Sequence, residues 1–130
     1  MAEPPPLGTL HWPTEIRLRK AEKILEIDFD NGVTVKLPAE LLRVESPSAE
    51  VQGHGPSQKQ IIAGRRHVGI LALEPVGNYA IRIKFDDLHD TGIFSWAYLY
   101  ELGRKQDELW ANYLKALAER GLSREPERRG

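Results

Sequence analysis

The chain has 130 residues, a formal net charge of −1, 41% hydrophobic residues and no cysteine. Its length suits one domain, the lack of thiols excludes disulfides and cysteine-ligated zinc or iron–sulfur clusters, and the small net charge argues against non-specific nucleic-acid binding. No apolar run approaches the ~20 residues that cross a bilayer, and the N-terminal residues lack the apolar stretch of a signal peptide, so we expect a cytoplasmic protein without a nucleic-acid or membrane partner.

The first half of the chain predicts a three-strand meander. Residues 1–13 are rich in proline and have no periodic pattern, so we expect a flexible leader. Apolar and polar residues then alternate over 15–19, 24–29 and 33–37, as strands with one solvated face require. Asn31-Gly32 joins the second and third strands, because this pair tolerates the backbone of a tight hairpin turn.

The middle of the chain predicts a short helix, a long loop and a second hairpin. Pro38 suits the first turn of a helix, and the following AELLRVE has a helical pattern that Pro47 ends. Residues 46–67 are rich in Pro, Gly, Ser and Gln and indicate an exposed loop. The segments 68–74 and 79–85 then form the two strands of the hairpin.

From Ser95 the apolar period becomes helical, and we expect C-terminal helices interrupted at Gly103 and capped by Gly121. The fold class predicted is α+β: a mostly antiparallel sheet built from the meander and the second hairpin, packed against the C-terminal helices. The domain is expected over 14–121, and residues 122–130 are expected to form a disordered tail.

The stretch FDDLHDTGIFSW, residues 85–96, is the first candidate site. Carboxylates and imidazoles are ligand types that bind Fe(II), Mn or Zn. This stretch supplies them from Asp86, Asp87, His89 and Asp90. The spacing does not match the facial triad of iron oxygenases. The alternative is a loop before a helix, in which Thr91 or Ser95 caps the free N–H groups and the acids suit the positive end of the helix.

Three further features give weaker signals. QGHGP at 52–56 lets a backbone approach a ligand, but it lacks the ending of a phosphate loop and also suits a flexible turn. The basic stretch 59–67 contacts an acidic partner or a nucleotide, or is solvated surface. Five aromatic residues near the C-terminus form core or an interaction surface: Trp96, Tyr98, Tyr100, Trp110 and Tyr113.

Two segments, LPAELLRVESPSAEVQGHG and LEPVGNYAIRIKFDDLHDTGIFSWAYLYELG, closely resemble the gamma-butyrobetaine hydroxylase-like N-terminal domain family. The resemblance runs from Ile16 to Gly121. In this family the domain precedes the catalytic domain of iron- and 2-oxoglutarate-dependent hydroxylases, is fused to Mrp-type iron–sulfur carrier ATPases, or stands alone in small bacterial proteins of unassigned function. The chain is similar to the stand-alone members.

The resemblance implies a degenerate metal site. The hydroxylase versions bind zinc through a Cys-x-Cys-x-x-Cys segment and a distant His, and these positions match Ser46, Ser48, Val51 and His89. Hydroxyls and a valine cannot replace thiolates around zinc. The zinc site is therefore expected to be lost, with His89 left as a relic, as a structural hydrogen-bonding group or as part of a different site. The catalytic iron ligands of the hydroxylases lie in another domain, so no dioxygenase activity follows.

We therefore expect no enzyme activity and no cofactor, but a non-catalytic accessory or protein-interaction module, whose partner is an iron-dependent enzyme or an iron–sulfur carrier. Its contact surface is expected to combine the 46–60 loop with the turn from His89 to Trp96, through Gln52, Gly53, His54, Thr91, Phe94 and Trp96. The alternative is a protein that holds iron, zinc or another divalent ion through His89, His54, Asp87 and Asp90. The sequence leaves the oligomeric state open.

Overall fold

The computed structural model describes residues 11–48, 51 and 59–126. This part of the chain forms three strands, a helix, three more strands and two helices: β1 (Pro13–Arg19), β2 (Ile24–Phe29), β3 (Thr34–Pro38), α1 (Ala39–Val44), β4 (Ile70–Val76), β5 (Ala80–Phe85), β6 (Ile93–Ser95), α2 (Trp96–Arg104) and α3 (Gln106–Glu119). The prediction of an α+β fold with antiparallel strands packed against helices is confirmed. None of these helices is both long and apolar enough to cross a membrane.

The meander forms the first sheet, in the order β1-β2-β3. Leu25 pairs with Leu37 and Ile27 with Val35, so their side chains share the face that lies in the core. The opposite face carries a polar network, in which Arg17 forms ion pairs with Glu26 and Asp28 on the neighbouring strand. The alternation read from the sequence therefore sets which face of this sheet is buried.

The second hairpin belongs to a separate sheet, in the order β4-β5-β6. Strand β6 was not predicted, because three residues before a helix give no periodic signal. These three residues form a strand only because they pair with β5, where Ile81 lies opposite Phe94. The register of β4 shifts between Ile70 and Ala72, so Leu71 is the extra residue of a bulge.

The core lies where the two sheets meet α1 and α2. Every residue of α1 is buried, including Glu40 and Arg43. The predicted interruption at Gly103 is corrected, because α2 continues through Gly103 and the break between α2 and α3 falls at Lys105. The glycine at 103 has a steric reason instead. A Cβ atom at Gly103 would lie only 2.6 Å from Cβ of Val35 and closer still to its Cγ1, so the glycine lets α2 approach β3.

The predicted cap at the end of α3 is confirmed. Gly121 has a φ of 64°, and the N–H of Leu122 donates to the carbonyl of Leu117, which completes a Schellman-type ending. The next residues are tied back to the domain, since Gly64 N–H donates to the carbonyl of Ser123. The domain bounds 14–121 stay a prediction, because the outer parts of the leader and the tail lie outside the described residues.

Candidate functional site

The candidate site lies where the segment after α1 meets the turn that follows β5. Residues 86–91, which we call the 86–91 turn, fold back on the end of β5. The N–H of Leu88 donates to the carbonyl of Phe85 at 3.1 Å, and the N–H of Phe85 donates to the carbonyl of His89 at 3.0 Å. These bonds direct the imidazole of His89 into the protein, where it is buried.

Ser46, Ser48, Val51 and His89 form what we call the serine–histidine corner. Nε2 of His89 lies 3.0 Å from Oγ of Ser46 and 3.4 Å from Oγ of Ser48. The two hydroxyl oxygens are 3.4 Å apart. All four residues are buried. The structure thus places both serines, which match two of the three cysteine positions, beside His89.

The residues of the corner do not fit a zinc ion. Zinc sites in proteins use thiolate, imidazole or carboxylate ligands, whereas Ser46 and Ser48 offer neutral hydroxyls and Val51 offers no donor. The corner is also closely packed, because a Cβ atom at Gly92 would overlap Oγ of Ser46. The Ser46 hydroxyl is fully buried, and the described polar side chains of the corner form a hydrogen-bonded cluster.

Asp87 holds the other side of the 86–91 turn. Its Oδ2 lies 2.8 Å from Nε of Arg43 and 2.8 Å from Nε of Arg65, and its Oδ1 accepts the N–H of His89 at 3.1 Å. Burial pushes the pKa of Asp87 up, but the hydrogen bonds from Arg43 and His89 and the charges of both arginines lower that pKa below its usual value. Asp87 therefore stays ionised and fastens the turn to α1.

The predicted metal ligands are not brought together in the described part of the chain. Among residues 11–48, 51 and 59–126, no three or more His, Asp or Glu side chains are close enough to hold a metal ion. Asp87 is engaged by Arg43 and Arg65, and Asp90 is exposed. His54 lies outside the described residues, so metal binding through His54 stays a prediction.

The predicted interaction surface is corrected at two positions. Phe94 is fully buried and Trp96 is 7% exposed, with its Nε1 donating to the carbonyl of Asn78 at 2.9 Å. The reason is β6, whose alternation points Phe94 into the core and leaves Ile93 outside. Thr91 is exposed, and Gln52, Gly53 and His54 lie outside the described residues.

The basic stretch 59–67 is neutralised within the domain. Lys59 forms an ion pair with Glu45, Arg65 with Asp87, and Arg66 with Glu125. Each cation of this stretch thereby fastens the loop to another segment, and the stretch does not present a continuous positive surface.

Leu88 is the feature that the sequence analysis missed. Its side chain is 83% exposed, and its backbone has a φ of 71°, in the left-handed region that favours glycine. The neighbours on both sides are fixed, Asp87 by the arginines and His89 by the serines. An apolar residue between the polar side chains of Asp87 and His89 was the available signal, but its backbone angle depends on the closed turn.

Comparisons with known proteins place the chain among small domains of the same architecture. Two solution structures determined by NMR have 48% and 45% identity, each with a TM-score of 0.79. The first match covers 93% of this chain and 95% of the other, and the second 99% and 96%. A crystal structure from Acidithiobacillus ferrooxidans, a protein of unknown function in the DUF971 family, has 41% identity and a TM-score of 0.60. That match covers 70% of this chain and 91% of the other.

No curated protein matches the chain. The family model described as "Gamma-butyrobetaine hydroxylase-like, N-terminal" matches residues 16–100. This range includes the serine–histidine corner, the 86–91 turn and both sheets, apart from the first three residues of β1. The chain belongs to the gamma-butyrobetaine hydroxylase-like N-terminal domain family.

Proposed function

We propose that this protein is a non-catalytic module that binds another protein through the 86–91 turn. The observation that supports the proposal is Leu88, a large apolar side chain held almost fully exposed on a strained backbone. A residue with a Cβ atom in the left-handed region costs about 1–2 kcal/mol. In the protein alone, the exposed side chain of Leu88 makes no packing contribution that offsets this cost.

Burial of Leu88 in a complex would offset this backbone strain. Burying a leucine side chain stabilises a complex by about 1.5–3 kcal/mol. The turn is also held in place before binding, because Arg43 and Arg65 hold Asp87 and the serines hold His89. A rigid anchor loses little conformational freedom when it docks, which favours affinity.

The kind of partner follows from the family. Its domains are joined in other proteins to iron-dependent hydroxylases or to iron–sulfur carriers, so we propose a partner of this chemistry, met in the cytoplasm. Metal analysis of the partner recovered in the experiment below tests this part separately.

The test is affinity capture from a lysate of the source cells with matched variants. Leu88→Ala and Leu88→Gly remove the anchor, and Leu114→Ala removes an exposed leucine from α3 as a control. We expect one protein to be retained by the wild type and by Leu114→Ala but lost with both Leu88 variants. Circular dichroism confirms folding of each variant. Retention that is the same for all four proteins would refute the proposal.

A further inference from the structure

Residues 122–126, which we call the C-terminal arm, return to the domain after the end of α3. The N–H of Gly64 donates to the carbonyl of Ser123 at 2.9 Å, and the N–H of Arg66 donates to the carbonyl of Arg124 at 3.0 Å. The loop segment that receives the arm belongs to no helix or strand. The arm therefore supplies backbone partners to a segment that lacks the hydrogen bonds of regular structure.

The side chain of Arg124 fastens the arm to two helices. Its Nε and Nη2 atoms lie 2.9 Å and 2.7 Å from the two carboxylate oxygens of Glu40 in α1, and its guanidinium lies 5.1 Å from the ring centre of Trp110 in α3. The other residues of the arm are exposed, and a cavity of about 490 Å³ lies between the arm and residues 63–65. The arm is thus held by Arg124 and by a few hydrogen bonds rather than by apolar packing.

Asp87, which fixes the 86–91 turn, is held by two separate elements. Nε of Arg43 in α1 and Nε of Arg65 in the loop each lie 2.8 Å from its Oδ2 atom. Its Oδ1 atom accepts the N–H of His89 at 3.1 Å. The position of the turn therefore depends on both α1 and the loop.

The arm contacts these same two elements beside the two arginines. On α1 it binds Glu40, which precedes Arg43 by three residues and so lies next to it along the helix. On the loop it accepts hydrogen bonds from Gly64 and Arg66, which flank Arg65 on both sides. The contacts therefore form a continuous path from the arm to the turn.

We infer that the C-terminal arm is a detachable clamp that regulates partner binding, because the 86–91 turn is rigid only while the arm holds Arg65 against Asp87. This inference rests on the proposed function and adds its regulation. A segment with few buried apolar contacts opens locally at a small free energy. A molecule that binds only the detached arm would weaken binding at Leu88, and by linkage a bound partner would keep the arm closed.

Hydrogen exchange of single amides, followed by NMR on the full chain without a partner, tests the clamp. The clamp variant combines Glu40→Gln with Arg124→Ala, which detaches the arm without leaving a buried carboxylate unpaired. The control variant combines Glu101→Gln with Arg104→Ala, which removes a matching two-bond pair from the exposed surface of α2.

The clamp variant should change the loop and the turn together. We expect the amides of Gly64 and Arg66 to exchange about tenfold faster, because they lose their acceptors on the arm. The amide of His89 should follow by a similar factor, because Asp87 is held less firmly. The amides of β2 should keep their rates, and the control variant should alter none of these amides.

Three results would overturn the clamp. Unchanged rates at Gly64 and Arg66 in the clamp variant would show that Arg124 does not hold the arm. Faster exchange at those two amides with an unchanged rate at His89 would show that the arm does not hold the turn. An equal rise at the amides of β2 would show that the arm and the core open together, so that the arm is not separately detachable.

Affinity capture separates the regulation from the proposed function. The clamp variant should retain several-fold less of the protein that is captured through Leu88. If it retains as much as the wild type although its His89 amide exchanges faster, the regulation is refuted and the proposed function stands. If the wild type retains no protein through Leu88, the proposed function is refuted, and the regulation of binding is refuted with it.

Discussion

Replacing Gly103 by alanine should destabilise the protein, although alanine is the better helix former. A Cβ atom at this position in α2 would lie 2.6 Å from Cβ of Val35 in β3, whereas carbon atoms pack at about 3.5–4.0 Å. The obstacle is next to the backbone of β3 and cannot rotate away, so we place the cost near ~3 kcal/mol, the upper end for an overpacked core. Alanine returns about 1 kcal/mol of helix preference. The expected net loss is about 2 kcal/mol.

Urea unfolding followed by circular dichroism measures this loss, and for a domain of this size the melting temperature should fall by roughly 8 °C. The matched control is the same change in a Val35→Ala background, where the Cγ atoms are absent. There Gly103→Ala should cost less, with a coupling energy of about 1 kcal/mol. If Gly103→Ala stabilises the wild-type protein by about 1 kcal/mol, the close approach of α2 to β3 is wrong.

Three further predictions concern the candidate site and its support. Ser95 caps α2 by accepting the N–H of Tyr98 at 3.1 Å, so Ser95→Ala should cost about 1 kcal/mol in urea unfolding, and an unchanged midpoint would contradict the cap. Because the pKa of Asp87 is lowered in the folded protein, its contribution to stability is present above the unfolded pKa and is lost as the pH falls through the folded value. Asp87→Asn should therefore destabilise most near neutral pH, and the difference should shrink progressively as the pH falls below about 4; a constant difference across pH would refute this ionic role. Since the described side chains around Nε2 of His89 are the hydroxyls of Ser46 and Ser48, which do not suit zinc, we expect dialysis against a chelator to leave the melting temperature unchanged, and a fall that added zinc reverses would show that a metal is bound.

The strands of the first sheet could be predicted because their signals are local. Leu25 and Ile27 alternate with Glu26 and Asp28, and the alternation alone decides which face is buried. Strand β6 could not be predicted in this way, since its strand state depends on hydrogen bonds to β5. The same missing strand explains why Phe94 was expected at the surface, whereas Trp96 is the first residue of α2 and is buried with its Nε1 donating to the carbonyl of Asn78.

The candidate site was predictable only in part. Ser46 and His89 are separated by 43 residues, and no local pattern links them, so only the family resemblance brought them together. The left-handed backbone of Leu88 could not be read from a sequence in which leucine ordinarily avoids that conformation. Gly103 was recognised as special but for the wrong reason, because a glycine that breaks a helix and one that lets a strand come close give the same signal.

The ion pairs around α1 depend on segments that the ribosome translates later. The two charged residues of α1 and Glu45, which follows the helix, each pair with a different later segment: Arg43 with Asp87, Glu40 with Arg124, and Glu45 with Lys59. During translation, at about 5–20 residues per second, the ribosome must release nearly the whole polypeptide before Glu40 meets its partner. A nascent chain that stops before residue 124 therefore leaves the buried carboxylate of Glu40 without its arginine.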